Sequence, residues 1–475
     1  MPKRPNVVLI YTDQQRFDSI RANGNEFAIT PNLDSLIEEG TCFDNYYVNN
    51  PVCMPSRMCM LTGKYPTQIN IGDNGIPLPE SEKTVANYLS QYDYHCAQIG
   101  KLHFLPHTNR QHTDCHPHYG FDSLIISDEP GCYDDAYIKW VESKNPSQVE
   151  KVRVGLPSEG KVYGQKIYST HERSPHQPYV FEGNDNLTHS CFVKDEVCSY
   201  IRNHKTNQQP FFVIAGFYAP HAPINPPKKY IDMYKIDEMP LPKRSNEDDL
   251  LMKSYLGEEM YHKLDDITDK KWQEIYANYL ALTTHVDDCV GDIMKELKDI
   301  EEETLIIFTS DHGEYLGDHN RVHKGMPGHD CIINVPLIIK YKGMIAEKKR
   351  IKNLCEAVDI LPTILDYACI QKPSYLKGIS LKPIIEEKTN YTKDSIIVEY
   401  ITHSLSETTI RTEDYKYYHS TDNREILYDL KNDPFELKDI SKEEAYKEVL
   451  SMMRLKMVNK IQMCSYNNLK KVAPY

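Results

Sequence analysis

The chain has 475 residues, enough to bury a large core and long for one compact unit, so one large domain with a smaller companion is expected. Lys and Arg number 55 against 69 Asp and Glu, a net charge of −14, which argues against nucleic acid or an anionic membrane as a bulk partner while leaving room for a local basic pocket. Thirteen scattered cysteines without a C-x-x-C pair indicate neither a disulfide framework nor a zinc ribbon, and the short apolar run in MPKRPNVVLIYTD is too brief for a signal peptide or membrane span, so the expected location is cytoplasmic.

Val7 to Tyr11 is a continuous apolar run that stops at Thr12-Asp13-Gln14-Gln15-Arg16, the pattern of a buried strand ending in a polar loop. Ligand groups of open α/β sheets sit at such carboxyl ends, which places Asp13 to bind a metal, although an Asp there also serves as turn former or helix cap. Pro31 to Leu36, closed by Gly40, reads as a short helix. In Pro51 to Gly63, PVCMPSRMCMLTG, Pro55 suits a first helical turn. Cys53 then lies at a helix N-terminus, where free N–H groups and the dipole favour an anion. The alternative is a buried cysteine opening a core helix.

Thr84 to Tyr94 has helical spacing, and His95 to Ile99 leads as a strand into Gly100-Lys101-Leu102-His103. From extended backbone Lys101 and His103 point the same way, a fixed cation and a titratable base facing one substrate; the plainer reading is a solvated lysine and a surface histidine. His107, His112, Cys115, His116 and His118 fit no zinc-finger spacing and are read as a loop beside an anion pocket, with no metal assigned. Pro130 to Ser190 is polar with little periodicity, and reads as long loops around the mouth of the site.

Phe211 to Tyr218 is another buried strand, closed by Ala219-Pro220-His221-Ala222-Pro223, where prolines on both sides fix the direction of the His221 ring. Trp272 to Lys298 is an amphipathic helix that feeds a strand, Thr304 to Thr309, and then Ser310-Asp311-His312-Gly313-Glu314. Lys324 follows in His323-Lys324-Gly325. Val335 to Tyr341 is a further core strand and Val358 to Ile370 a helix. After about Lys388 come short strands at Ser395 to Tyr400, Thr408 to His419 and Ile426 to Leu430, then a helix opened by a Ser441/Glu444 capping box and running to about Cys464.

C-x-P-S-R at Cys53, Pro55, Ser56 and Arg57 with Leu61-Thr62-Gly63, G-K-x-H at Gly100 to His103, and the adjacent Asp311-His312 resemble the signatures of type I sulfatases. L-Y-D-L-x-x-D-P-x-E at Leu427 to Glu436 is similar to their C-terminal subdomains, so the resemblance covers nearly the whole chain. The chain departs from the pattern at Met54, Asp93 and Cys96, and at Gln14, where sulfatases commonly carry a second acid beside Asp13; that second ligand stays open. The resemblance implies an alkaline-phosphatase-like α/β fold: a mixed, mostly parallel sheet sandwiched by helices in a catalytic domain, 1–388, with an α+β subdomain of antiparallel sheet plus helix, 389–475.

It further implies that Cys53 is oxidised to formylglycine by a formylglycine-generating or anaerobic sulfatase-maturating enzyme. One divalent metal, Ca²⁺ first and Mg²⁺ or Mn²⁺ as alternatives, is held by Asp13, Cys53, Asp311 and His312. Arg57 stabilises the nucleophile, Lys101 and Lys324 bind the sulfate, His221 protonates the leaving alcohol and His103 acts as base. The implied substrate is a small anionic sulfate ester, such as a sulfated sugar. Three other readings remain open: a phosphodiesterase or phosphonate monoester hydrolase of the same superfamily, a two-metal phosphatase, and a non-catalytic anion-binding protein with unmodified Cys53.

Overall fold

The computed structural model describes residues 4–154, 162–163, 177–256, 263–389, 391 and 393–465. The apolar runs become the centre of an eight-stranded sheet: β1 (Asn6–Asp13), β2 (Thr41–Phe43), β3 (His95–Gly100), β4 (Ser123–Ile126), β5 (Phe211–Pro220), β6 (Thr304–Ser310), β7 (Leu337–Lys340) and β8 (Lys349–Ile351). Their spatial order is β8-β2-β7-β6-β1-β5-β3-β4. The run β6-β1-β5-β3-β4 is parallel throughout, and β7 is antiparallel to both its neighbours. A mixed, mostly parallel sheet results.

Residues of a strand alternate between faces, so β1 feeds two cores. Val7, Leu9 and Tyr11 pack on one side, with helices α2 (Cys53–Thr62), α3 (Val85–Ser90) and α7 (Ile360–Tyr367). Val8 and Ile10 pack on the other, with α1 (Pro31–Glu38), α4 (Ala136–Lys144), α5 (His189–His204) and α6 (Asp269–Leu297). A second sheet is an antiparallel meander of β9 (Ile396–Ile401), β10 (Ser406–Arg411), β11 (Tyr415–Ser420) and β12 (Glu425–Asp429). Helix α8 (Lys447–Ser465) covers it through Leu450, Met453 and Met457, packed on Ile410, Tyr417 and Leu427.

Several expected elements differ. The region expected to be loops holds α4, whose first turn is capped by Asp135 accepting from the Ile138 N–H at 3.1 Å, and ends at α5, which replaces an unassigned stretch; much of the rest lies outside the described residues. Thr408 to His419 is not one strand but a hairpin, because the Thr412 hydroxyl accepts the Tyr415 N–H at 3.0 Å and turns the chain without glycine or proline. The Ser441/Glu444 capping box does not form: Ser441 bonds Asp439 at 3.0 Å, Glu444 opens a 3₁₀ turn, and α8 starts at Lys447. Gly40 follows the Glu39 C-cap of α1 and gives its N–H to the Ile37 carbonyl at 3.4 Å, without the positive φ of a glycine cap. It sits where a Cβ would stand 2.8 Å from the Ile339 carbonyl oxygen, so its role is close packing against β7.

The ends of β3 and β5 meet at a glycine pair, Gly100 opposite Gly216. Gly100 has φ +88°, and a Cβ there would lie 2.2 Å from the Gly216 carbonyl oxygen, so only glycine lets the two strands deliver their loops side by side. Gly75 has nearly the same φ, +87°, with nothing within 4 Å. Gly75→Ala should therefore show backbone strain alone, roughly 1–3 kcal/mol, and Gly100→Ala distinctly more. Urea midpoints compare them, and equal losses would contradict the close-approach account.

Candidate active site

Four adjacent parallel strands present their carboxyl ends along one edge of the sheet, and each contributes to one cluster. β1 ends in Asp13, β6 is followed by Asp311 and His312, β5 by His221, and β3 by Lys101 and His103. The fifth contributor is α2, buried along its whole length, whose first residue is Cys53. The loop before it is held by two buried amides. Asn49 donates to the Ile397 carbonyl at 3.0 Å, and Asn50 donates to the carbonyls of Glu399 (2.6 Å) and Gly72 (2.8 Å) while accepting from the Val52 N–H. Strand β9 of the second sheet thus fixes where α2 begins.

Asp13, Cys53, Asp311 and His312 offer ligand atoms all within 4.8 Å of one another, and all four residues are buried. His312 Nδ1 donates to the Gly313 carbonyl at 2.8 Å, so Nε2 is bare and points to the cluster, 3.2 Å from Cys53 Sγ and 3.6 Å from Asp13 Oδ1. That tautomer, fixed by a backbone acceptor on the far nitrogen, is the one a metal-binding histidine uses. Two carboxylates and one imidazole around a single point suit a divalent cation, with the oxygens fitting a hard ion and the histidine widening the choice.

Arg57 bonds Asp311 through Nε at 2.7 Å and the Lys101 carbonyl at 2.9 Å, with its guanidinium 4.5 Å from the Tyr11 ring centre. Lys101 Nζ stands 2.6 Å from Asp13 Oδ2. Lys324 Nζ lies 2.6 Å from Cys53 Sγ and 3.1 Å from His221 Nε2. The Nδ1 of His221 is occupied by the Ala222 carbonyl at 2.7 Å, which leaves Nε2 for the site. His103, 5 % exposed, has φ +58° and not the extended backbone expected; it stacks on His107 at 4.2 Å, and Asp128 accepts its backbone N–H.

Burial pushes the Asp13 carboxyl up, but Lys101, His221, Arg57 and Lys324 outweigh it and hold it well below the usual carboxylate range. Burial and Asp13 push the Cys53 thiol up to about 11 against the pull of Lys324 and Lys101. An unmodified Cys53 is therefore a neutral thiol at pH 7, a poor nucleophile. Burial, then Lys324, brings His312 down to about 4, so it is neutral as a ligand must be. His103 is held well below its ordinary value by burial, His107 and Lys101; His221 is held low by burial and Lys324.

Two participants, Glu129 and Asp128, were not singled out in the sequence. Glu129 faces Lys101 Nζ at 3.7 Å and His107 Nε2 at 3.0 Å, and Asp128 braces the Leu102–His103 backbone at 2.8 Å. Gln14, at φ +66°, gives its N–H to Asp311 at 3.0 Å and its side-chain amide to Glu314, which turns its Oε1 toward Lys324 at 3.4 Å. An oxygen donor thus stands beside Asp13 where a second acid was looked for. The positive φ of Gln14 and the acidic pair at 128–129 leave no pattern in sequence. Of the histidine-rich loop, His107 and His112 bond Tyr133 and the His107 carbonyl, while His116 and His118 bond the carbonyls of Pro117 and Phe121.

The model of the sulfatase family matches residues 5–370, and that of the N-sulphoglucosamine sulphohydrolase C-terminal region matches 317–463. The chain belongs to the sulfatase family and is a sulfuric ester hydrolase of the alkaline-phosphatase-like fold. It is 31 % identical to an arylsulfatase of Clostridium perfringens over 97 % of this chain and 95 % of that one. It is 26 % identical to an N-acetylglucosamine-6-O-sulfatase of Bacteroides thetaiotaomicron over 95 % and 86 %. The fold is similar to that of a phosphonate monoester hydrolase of Agrobacterium radiobacter, with a TM-score of 0.81, 24 % identity, and coverage of 97 % and 96 %.

Asp311 neutralises a fully buried Arg57, so Asp311→Ala should cost the fold about 3–5 kcal/mol, the usual penalty for stranding one partner of a buried ion pair. Lys324→Met removes a cation from a loop and strands no partner of that kind, so its cost should be a small fraction of this. Denaturation midpoints of the two variants check the difference, and a stable Asp311→Ala protein would contradict it.

Proposed function

We propose that this sulfatase hydrolyses the sulfate monoester of a small sugar or similar alcohol, with residue 53 matured to formylglycine and one divalent cation, Ca²⁺ before Mg²⁺ or Mn²⁺, held by Asp13, Asp311, His312 and the matured residue. The observation that carries the reading is the convergence of Cys53 with those three donors at a shared point, ringed by Arg57, Lys101 and Lys324. The name of the glucosamine sulfatase relative supports a sugar as the alcohol. The bound ion would supply positive charge and the aldehyde hydrate a regenerable hydroxyl nucleophile.

The chain's own groups do the rest. Lys101 and Lys324 grip the sulfate oxygens and spread the charge that develops on them, and Arg57 holds Asp311 in its ligating position. His221 keeps Nδ1 on the Ala222 carbonyl and directs Nε2 at the leaving oxygen. In the free enzyme burial and Lys324 keep that ring neutral. A bound sulfate ester offsets the field of Lys324 and favours the protonated ring, so the acid is created by substrate binding. Neutral His103, ordered by His107 and Asp128, is the base that takes the proton when residue 53 is regenerated.

His221→Ala should slow alkyl sulfates about 10²- to 10⁴-fold, the range of general acid catalysis, and aryl sulfates with acidic phenols far less, because a phenolate leaves without a proton. Initial rates on a leaving-group series measure this. Equal losses across the series would remove His221 from the role. Faster turnover of a phosphonate monoester than of any sulfate ester would contradict the substrate class.

A further inference from the structure

Apart from the catalytic cluster, helices α5 and α6 bring together three soft donors. Cys191 lies in the first turn of α5, three residues after Thr188, whose hydroxyl caps the helix by accepting the Cys191 N–H at 3.2 Å. His285 and Cys289 are four residues apart on α6, which puts both side chains on one helical face. The three ligand atoms all lie within 4.8 Å of one another. His285 and Cys289 are buried, whereas Cys191 is partly exposed and leaves a route from solvent.

The spacing fits a particular chemistry. Zinc takes sulfur at about 2.3 Å and imidazole nitrogen at about 2.0–2.1 Å, and a tetrahedral angle between such bonds sets sulfur and nitrogen about 3.6 Å apart. Cys191 Sγ stands 3.6 Å from His285 Nε2. The His285 ring is held in place by stacking on Tyr230, at 4.7 Å between centres and 27° between planes, and Tyr230 is itself anchored by its hydroxyl on Asp288 at 2.9 Å. Such outer support is what fixes a ligand ring.

Two cysteines packed between core helices would by themselves be ordinary. Here an i, i+4 histidine–cysteine pair on one helix meets a capped cysteine on the other, and the sulfur–nitrogen distance is already that of a shared ion. We propose that Cys191, His285 and Cys289 bind a borderline-soft divalent cation of the Zn²⁺ type, with the fourth position toward solvent at the Cys191 end. Binding replaces the protons on the ligand atoms, which pass to the buffer, and two thiolates with one neutral imidazole leave the complex uncharged. The ion ties α5 to α6 on the side of the sheet opposite α2, so it stabilises the scaffold.

Co²⁺ is the probe, because it reports thiolate ligation by colour where Zn²⁺ is silent. The titration is run on full-length Cys53→Ser protein, which removes the sulfur of the catalytic cluster. Expected are a sulfur-to-cobalt charge-transfer band, intense visible bands of a tetrahedral ion, and bleaching on adding Zn²⁺. Adding Cys191→Ser, a near-isosteric change at a partly exposed position, should abolish the charge-transfer band or weaken affinity by more than the ~10- to 100-fold that loss of a supporting partner costs. Zn²⁺ should also raise the melting temperature of the Cys53→Ser protein by more than that of the Cys53→Ser/Cys191→Ser protein, since both keep Asp13, Asp311 and His312 and only the first keeps the three-donor cluster. Absence of the band, its survival at undiminished affinity in the Cys191→Ser background, or a Cys191–Cys289 disulfide whose reduced form takes up no Co²⁺ would each overturn the proposal.

Discussion

Two carboxylates, Asp13 and Asp311, are withdrawn from water within one cluster, and each has a buried cation packed against it. Burying a charge costs several kcal/mol unless it is paired and hydrogen-bonded. Arg57 pairs with Asp311 and Lys101 with Asp13, while the two carboxylates keep further oxygens directed at His312 and residue 53. A divalent ion at that point would complete the compensation. The rest of the architecture follows from holding these groups in place: four parallel strands end together so that four loops meet, and a wholly buried helix brings residue 53 to them from outside the sheet.

The second sheet is part of this arrangement and not an appendage. Asn49 and Asn50 bond the backbone of β9, and Asn49 also reaches the Glu356 carboxylate at 3.1 Å, so the loop entering α2 is tied to the second sheet. Glu356 is in turn paired with Lys393 at 2.6 Å. A buried amide left without its carbonyl partners loses its hydrogen bonds and keeps its desolvation cost. Correct placement of residue 53 therefore depends on the C-terminal meander having folded.

Much of the fold was legible because the central strands are buried on both faces and read as unbroken apolar runs, as at Val7–Tyr11 and Phe211–Tyr218. The site residues were legible for the same reason: Asp13, Lys101, His221 and Asp311 each stand just where such a run stops. What escaped was held by tertiary contacts. Helix α5 carries lysine, aspartate and histidine among its apolar positions and packs by contact with α6, so its periodicity is weak in sequence. Gln14 shows nothing in sequence of its positive φ or of Glu314, three hundred residues away, which orients its amide. Glu129 and Asp128 follow a short edge strand of middling burial, without an apolar run to announce them.

The buried, neutral thiol of Cys53 is the point at which chemistry and geometry meet. A thiol with its pKa at about 11 is a weak nucleophile, yet Asp13, Lys324, Lys101 and Asp311 are all arranged around it. That disparity is removed if the residue is changed after synthesis. Mass analysis of the peptide spanning residue 53, from enzyme purified with full sulfatase activity, tests this most directly. The account predicts an aldehyde in place of the CH₂–SH group, detectable by its reaction with a hydrazide. Full activity in protein whose Cys53 is an intact thiol would contradict it.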